Sequence, residues 1–449
     1  LEVGAPVDKV TSNFVYQSNI SAAAVLTGIY FDLQRAYPGF SHGPNGISII
    51  CGLSADELST HPLSPYSLIY ENSSENNLWT PLYSFIYRAN AALEGISASN
   101  SLSEPVKNQL IGEAKFIRAF CYFYLVNLYG DVPLLITSDY RTNSSSGRMS
   151  RADVYKQIIL DLESGNELMD NNYLSADASS ISEERIRPNR WVAKALLARV
   201  YLYTKDWIKA EMAASELIDN RSAFDTTSLS DVFLSNSKEA IWQLQIVGEW
   251  GYKHSLDAQI FVPIYLQSDG FIYNLWINDS LEKSFEAGDK RKSEWTIAGR
   301  DTIQNKDYYF PYKYKHIMFE DPPTEYVMVF RLAEQYLIRA EARIEQGKVT
   351  EGKADINLIR KRAGLIAVDA SSTDELLRII LQERRVELFS EWGHRWLDLK
   401  RTGEVDSVME KVCPSKNAIW YSYKQLFAIP IFDLEHNINL KQNDGYPSK

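Results

Sequence analysis

Between Leu377 and Arg401 the chain sets Leu377, Leu381, Leu388, Trp392, Trp396 and Leu399 three, four or seven residues apart, the spacing of an apolar stripe along one side of a helix. Glu383, Arg384, Glu387, Glu391 and Arg395 fall where acids and bases can pair one turn apart. Such a stretch is expected to form one amphipathic helix, packed inward by Leu388, Trp392 and Leu399, with a paired polar side. Acidic groups on a helix also invite a catalytic reading, but ion pairs at this spacing are ordinarily structural. The order of residues is more specific than their spacing: Glu383-Arg-Arg-x-Glu-Leu388, Glu391-x-x-x-Arg395, then Asp398-Leu-x-Arg401.

Helical patterns also dominate residues 79–128, 150–170 and 189–219, and begin again at 330 to run through 402. From Phe116 to Val126 the chain is apolar nearly all round, as in a helix buried between neighbours, and Gly130 with Pro133 beyond it ends the run. Ser150-Arg-Ala-Asp153 and Ser372-Thr-Asp-Glu375 have capping-box spacing, and Gly347 and Gly364 punctuate two later helices. Ala198-Arg199 and Ala342-Arg343 are each followed by Lys-Ala, at Lys209-Ala210 and Lys353-Ala354, a spacing of small residues like that of tetratricopeptide helical hairpins. Between these regions lie long segments rich in Tyr, Trp, Pro, Asn and Ser, at 37–77, 220–327 and 403–449. Long irregular segments of this kind tend to carry function, and Ile241–Ile246 and Tyr308–Tyr314 are expected to form small sheets or hairpins within them.

Several functions are disfavoured. With 449 residues, 45% of them apolar, the chain can build a sizeable core as one large globule or two fused lobes. Its net charge of -11, without a basic cluster, argues against nucleic acid. Cys51, Cys121 and Cys413 lack zinc or disulfide spacing, and the apolar run Ala119–Val126 is far too short to cross a bilayer. Gly347-Lys-Val-Thr-Glu-Gly-Lys353 begins like a phosphate-binding loop, but Ala354 replaces the Ser or Thr that would hold magnesium, and a helix precedes it instead of a strand. The histidines at 42, 61, 254, 316, 394 and 436 have no metal-ligand spacing, and no nucleophile elbow or separable pair of glycosidase carboxylates stands out. No catalytic residue, metal ligand or cofactor is assigned.

Aromatic residues interleaved with amides suit a different chemistry, because a sugar ring packs its C–H face on an aromatic ring while its hydroxyls need polar partners at the rim. Trp250, Tyr273, Trp276 and Trp295 are the leading stacking candidates, beside Asn274, Asn278 and Asp279. His42, Asp56, Tyr66 and Tyr70 form a second set in the first insertion. Any one of these rings could instead fill a core under the loops, since Trp and Tyr are highly buried on average.

The run from Ile380 to Arg401 resembles the signature segment of the SusD/RagB family. Glu113-Ala-Lys-Phe-Ile-Arg-Ala119 and Tyr129-Gly-Asp-Val-Pro133 resemble that family's early helix and exit turn, and Phe330–Ala342 with Asn357–Gly364 its later helix pair. Phe427-Ala-Ile-Pro-Ile431 and Gln442-Asn-Asp-Gly-Tyr446 resemble its closing segment, with Asp444 where proline is more usual. The resemblance covers the whole chain. It implies one mainly α globule over residues 1–449, with about four tetratricopeptide-type hairpins at 79–128, 150–219 and 330–402 as scaffold and the three insertions, with their small β elements, as ligand-binding regions. It also implies a non-catalytic surface lipoprotein of an outer membrane, anchored by a lipidated cysteine upstream of Leu1 after loss of a signal peptide. Such a protein would capture an oligosaccharide or polysaccharide and deliver it to a SusC-like TonB-dependent barrel. A RagB-like peptide ligand and a plain tetratricopeptide scaffold for protein partners remain the alternatives, although the latter leaves the aromatic insertions unexplained.

Overall fold

The computed structural model describes residues 15–447 except 36, 38, 74–77, 249–252, 264–273, 302–304 and 318–322. Helices of eight or more residues begin with α1 (Asn19–Leu33) and α2 (Ile47–Ser54), followed by α3 (Trp79–Ala98), α4 (Glu104–Tyr129), α5 (Arg151–Leu168), α6 (Arg190–Tyr203) and α7 (Trp207–Asp219). The later ones are α8 (Leu332–Glu345), α9 (Val349–Arg362), α10 (Thr373–Glu387), α11 (His394–Thr402) and α12 (Val405–Val412). Short strands lie between them: β1 (Leu58–Thr60), β2 (Ala240–Leu244), β3 (Leu275–Ile277), β4 (Thr296–Asp301), β5 (Lys306–Pro311) and β6 (Val327–Arg331). They form three antiparallel pairs, β1 with β3, β2 with β6 and β4 with β5. The fold is mainly α, with each helix from α3 to α9 packed on the next. Helices α1, α2 and α12 fall outside the expected helical regions.

Helix ends follow the sequence signals closely. Ser150 Oγ accepts the Asp153 N–H at 3.2 Å and Ser372 Oγ that of Glu375 at 3.3 Å, so both caps form. Every residue from Phe116 to Tyr129 is buried, and Gly130 ends α4 with φ +78°. The closing segment docks there: the Phe427 N–H donates to Leu128 O at 2.8 Å, and Asn443 Nδ2 donates to Tyr129 O at 3.0 Å.

Both predicted hairpins exist, in a corrected register. A three-residue turn joins α6 to α7 and another joins α8 to α9, with Lys205 (φ +60°) and Gly347 (φ +77°) at equivalent places. That alignment matches Ala198 with Ala340 and Ala210 with Gly352. Gly352 is buried, and a Cβ there would lie 2.5 Å from Ile344 Cγ1 and 3.0 Å from Ala340 O, whereas Ala354 is exposed. The close approach therefore needs Gly352, and the Lys353-Ala354 step matches the spacing without making the contact. The glycine-rich turn links two helices, as expected of a repeat.

The signature segment is not one helix. It breaks between α10 and α11, where Ser390 (φ +54°), Trp392 (φ +45°) and Gly393 (φ +73°) reverse the backbone. Side chains of other elements take up the freed amides: Ser390 N–H donates to Glu57 Oε1 at 2.9 Å and Trp392 N–H to Ser48 Oγ at 2.9 Å. Leu388, Trp392 and Leu399 are buried as expected, and the Trp392 indole donates to Met328 O at 2.6 Å. The polar side is buried as well, and most of its pairs leave the helix. Arg331 reaches Glu239, Glu387 and Glu391 at 2.6–2.9 Å, while Arg291 joins Asp289, Glu383 and Glu387 at 2.5–3.0 Å. This network ties the second insertion to the scaffold, and the cluster of Arg291, Arg331 and Arg362 holds the Glu387 carboxyl well below the usual carboxylate range against the cost of burial.

Candidate ligand-binding cleft

Strand alternation builds one wall of a cleft where all three insertions meet. Along β3, Leu275 and Ile277 point into apolar clusters, which turns Trp276 to the opposite face. Ser59 of β1 pairs in register with Trp276, and the Tyr308 ring of β5 meets the Trp276 ring edge-on at 4.8 Å. Around them Thr60, Tyr70, Asn278, Lys306 and Asn417 line a space of about 490 Å³. That volume lies within the range of ligand sites, and the lining combines ring faces with amides, hydroxyls and charges.

The floor is held from outside the cleft. Asp56, just ahead of β1, accepts from Arg395 at 2.7 Å and from Arg385 at 2.7 Å, and these partners bring its carboxyl down to about 2 despite burial. Both arginines belong to the signature segment, so its charges position β1. Lys416 caps the C-terminus of α2, donating from Nζ to Leu53 O and Ala55 O at 2.6 Å each, beneath the Tyr70 ring at 4.7 Å. Burial brings its ammonium down to about 7.

The sequence candidates separate on this geometry. Trp276 is half-buried on the cleft wall. Asn278 lines the cleft too, but its amide is committed: Nδ2 donates to Ser59 Oγ at 3.0 Å, and Oδ1 accepts the Ser280 N–H at 2.9 Å. Tyr66 is partly buried against the cluster of Ile49, Leu53 and Leu58 and is not among the residues that line the cleft. Trp250 and Tyr273 lie outside the described residues.

Two candidates are corrected. Trp295 is 0% exposed, with its N–H on Leu229 O at 2.9 Å and the Lys313 ammonium 4.7 Å from the ring centroid, so no face remains for a sugar. His42 is 1% exposed and clamps the first insertion, with Nδ1 accepting the Leu256 N–H at 3.1 Å and Nε2 hydrogen-bonded to Gln34 O. Burial brings this imidazole down to about 4, which keeps it neutral, in accord with an accepting Nδ1. Sequence reasoning missed Ser59, Thr60 and Asn417 as lining residues, because only the pairing of β1 with β3 and the return of the C-terminal segment bring them beside Trp276. Tyr308 had a legible signal, since it lies in the expected strand. Among the described residues no group of three or more His, Cys, Asp or Glu could hold a metal ion, and no helix is long and apolar enough to cross a membrane.

Comparison with known proteins agrees with this architecture. A family model described as "Starch-binding associating with outer membrane" matches residues 56–202, and the model of the SusD family matches residues 257–446. A SusD-like protein of Formosa agariphila is 25% identical over 96% of this chain and 92% of its own length. The starch-binding protein SusD of Bacteroides thetaiotaomicron is 31% identical over a shorter stretch, 28% of this chain and 22% of that protein. Among solved structures, a SusD superfamily protein from Bacteroides vulgatus superposes with a TM-score of 0.81 at 21% identity, covering 95% of this chain and 99% of the other. The surface glycan-binding protein A of Bacteroides uniformis gives 0.77 at 19% identity, over 94% and 98% of the two chains. A mainly α scaffold of stacked hairpins that carries a cleft on its insertions is the class of protein defined here. The chain belongs to the SusD/RagB family.

Proposed function

We propose that this protein binds an oligosaccharide in the cleft between β1, β3 and β5 at the outer-membrane surface and passes it, unaltered, to a SusC-like TonB-dependent barrel. The observation that carries this reading is the wall of Trp276 and Tyr308 beside hydroxyl and amide side chains, in a space of about 490 Å³. A ring edge and face bind the C–H surface of a sugar, and the surrounding polar groups suit its hydroxyls. The names of two relatives, a starch-binding protein and a surface glycan-binding protein, favour the same ligand class. A lipid anchor upstream of Leu1 would hold the protein at the surface, with the barrel adding the attachment that a single acyl chain lacks.

The test is calorimetry with starch-type oligosaccharides beside a peptide library. Oligosaccharide binding is expected, and Trp276→Ala should weaken it several-fold, in line with a stacking contribution of about 1 kcal/mol, while the melting temperature holds. Peptide binding without glycan binding would favour the RagB-like ligand, and unchanged glycan affinity in Trp276→Ala would move the site elsewhere.

A further inference from the structure

A second cavity, of about 620 Å³, opens where the exit turn of α4 and the start of α5 meet the C-terminal segment, and it shares no lining residue with the cleft. Tyr423 lines it, half-buried, on the short 3-10 turn Ser422–Gln425. Neighbours fix this ring. A Cβ at Gly445 would lie 2.3 Å from Tyr423 Cγ, so only glycine lets the backbone lie against it. The Tyr446 ring meets it edge-on at 4.9 Å, held in turn by its hydroxyl, which donates to Leu426 O at 2.7 Å. Tyr421, 51% exposed, stands beside it with centroids 5.8 Å apart and planes only 18° from parallel. Arg148 ties the lining together, donating from Nε to Asp131 O at 2.7 Å, from Nη1 to Lys441 O at 3.1 Å and from Nη2 to Asn443 Oδ1 at 2.5 Å. Asp131, Arg151, Lys441 and Asp444 are exposed residues on the same lining.

We propose that this cavity is a second saccharide site, where a sugar ring stacks on Tyr423 while its hydroxyls donate to Asp131 and Asp444 and accept from Arg151 and Lys441. The ligand class rests on the reading of the cleft above; the position does not. Carboxylates only accept, whereas guanidinium and ammonium groups only donate, so a lining that carries both suits a ligand able to do each at neighbouring atoms, as vicinal hydroxyls can. An anion drawn to Arg151 and Lys441 would meet Asp131 and Asp444, and a cation would meet the reverse. A ring already fixed by Gly445 and Tyr446 offers a surface for sugar C–H groups without a further ordering cost. The volume lies within the range of ligand sites.

Paramagnetic broadening of maltotriose NMR signals tests this on the full chain. Cys51, Cys121 and Cys413 are buried, so a nitroxide maleimide goes to an introduced cysteine. Ile438→Cys, at a position 88% exposed and next to Asn439, reports on this cavity, and Leu63→Cys, at a position 76% exposed and next to Pro62, reports on the cleft. Broadening is expected from both labels. Tyr423→Ala should cut the broadening from the label at 438 roughly fivefold, the share of one stacked ring, and leave that from the label at 63 unchanged. If that variant does not fold, Asp444→Trp, at an exposed lining position, fills the cavity and makes the same test. Broadening from the label at 63 alone, or broadening at 438 that a folded Tyr423→Ala or Asp444→Trp variant leaves intact, would overturn the second site while the cleft reading stands. Broadening at 438 alone, lost in Tyr423→Ala, would uphold this site and overturn the cleft, and broadening from neither label would overturn both.

Discussion

His42 and Asp257 hold the first insertion to the second through neighbouring bonds: His42 accepts the Leu256 N–H at 3.1 Å, and Asp257 Oδ1 accepts the Gly43 N–H at 2.7 Å. Both side chains are buried, so His42, which sequence alone leaves open to a ligand role, becomes part of a seam between segments more than two hundred residues apart. Burial pushes the Asp257 carboxyl up to about 7, with the Gly43 amide opposing. Because the folded value exceeds the unfolded one, Asp257 lends stability that is fully present at acid pH and is lost as pH rises through about 7. Asp257→Asn keeps an acceptor for Gly43 and does not titrate. Relative to the parent, this variant should therefore gain roughly 1–3 kcal/mol between pH 5 and pH 8, as urea unfolding at several pH values would measure. A pH-independent difference between the two proteins would remove the titration of Asp257 as its source.

At the scale of elements, the break between α10 and α11 does what a continuous helix could not. It swings Trp392 among Phe40, Phe120 and Tyr124 while Arg385 and Arg395, on either side of the break, converge on Asp56. Gly393 permits this because a Cβ there would lie 2.8 Å from Cys51 Cβ on α2. Trp392→Ala should cost about 3–5 kcal/mol, read as a lower denaturant midpoint, because it empties a buried aromatic site and strands its hydrogen bond. In the α8–α9 hairpin, Gly352→Leu should destabilise by about 1–3 kcal/mol through overpacking, whereas Ala354→Leu should stay within about 0.5 kcal/mol. Thermal melts of these two variants decide between the register with Gly352 at the contact and the one with Ala354 there.

Across the whole molecule, scaffold and cleft are linked through buried charge. The Arg291 and Arg331 network fixes the second insertion to α10, Asp56 fixes β1 to the break, and Lys416 draws the C-terminal segment to α2. Breaking such a network by removing one partner is strongly destabilising, since it leaves an uncompensated buried charge. The handover proposed above requires a lasting complex with a SusC-like barrel. Co-purification of the two from native membranes is the expected result, and recovery of this chain alone from the periplasm would contradict it.

Local physics made much of the scaffold legible. Capping boxes at Ser150 and Ser372, the all-round apolar face of α4 and the glycine after it are short-range effects, so the sequence carries them directly and the structure repeats them. Family membership was legible for a related reason: the charged order around Glu383–Arg401 serves a buried network that admits few substitutes. The candidate site was legible only in part. Trp276 stands on the cleft wall, but Trp295 and His42 face inward, because composition marks a ring or an imidazole without saying which side of a strand or loop it takes. Ser59, Thr60 and Asn417 are unremarkable in sequence and gain their place from contacts that span hundreds of residues. The sequence by itself determined the scaffold helices α3 to α9, their capping signals and the family, since these rest on neighbours along the chain, but it marked neither α1, α2 and α12 nor the break between α10 and α11. Only the tertiary structure decided which polar groups are spent inside and which rings line the cleft, because burial is a property of the assembled core.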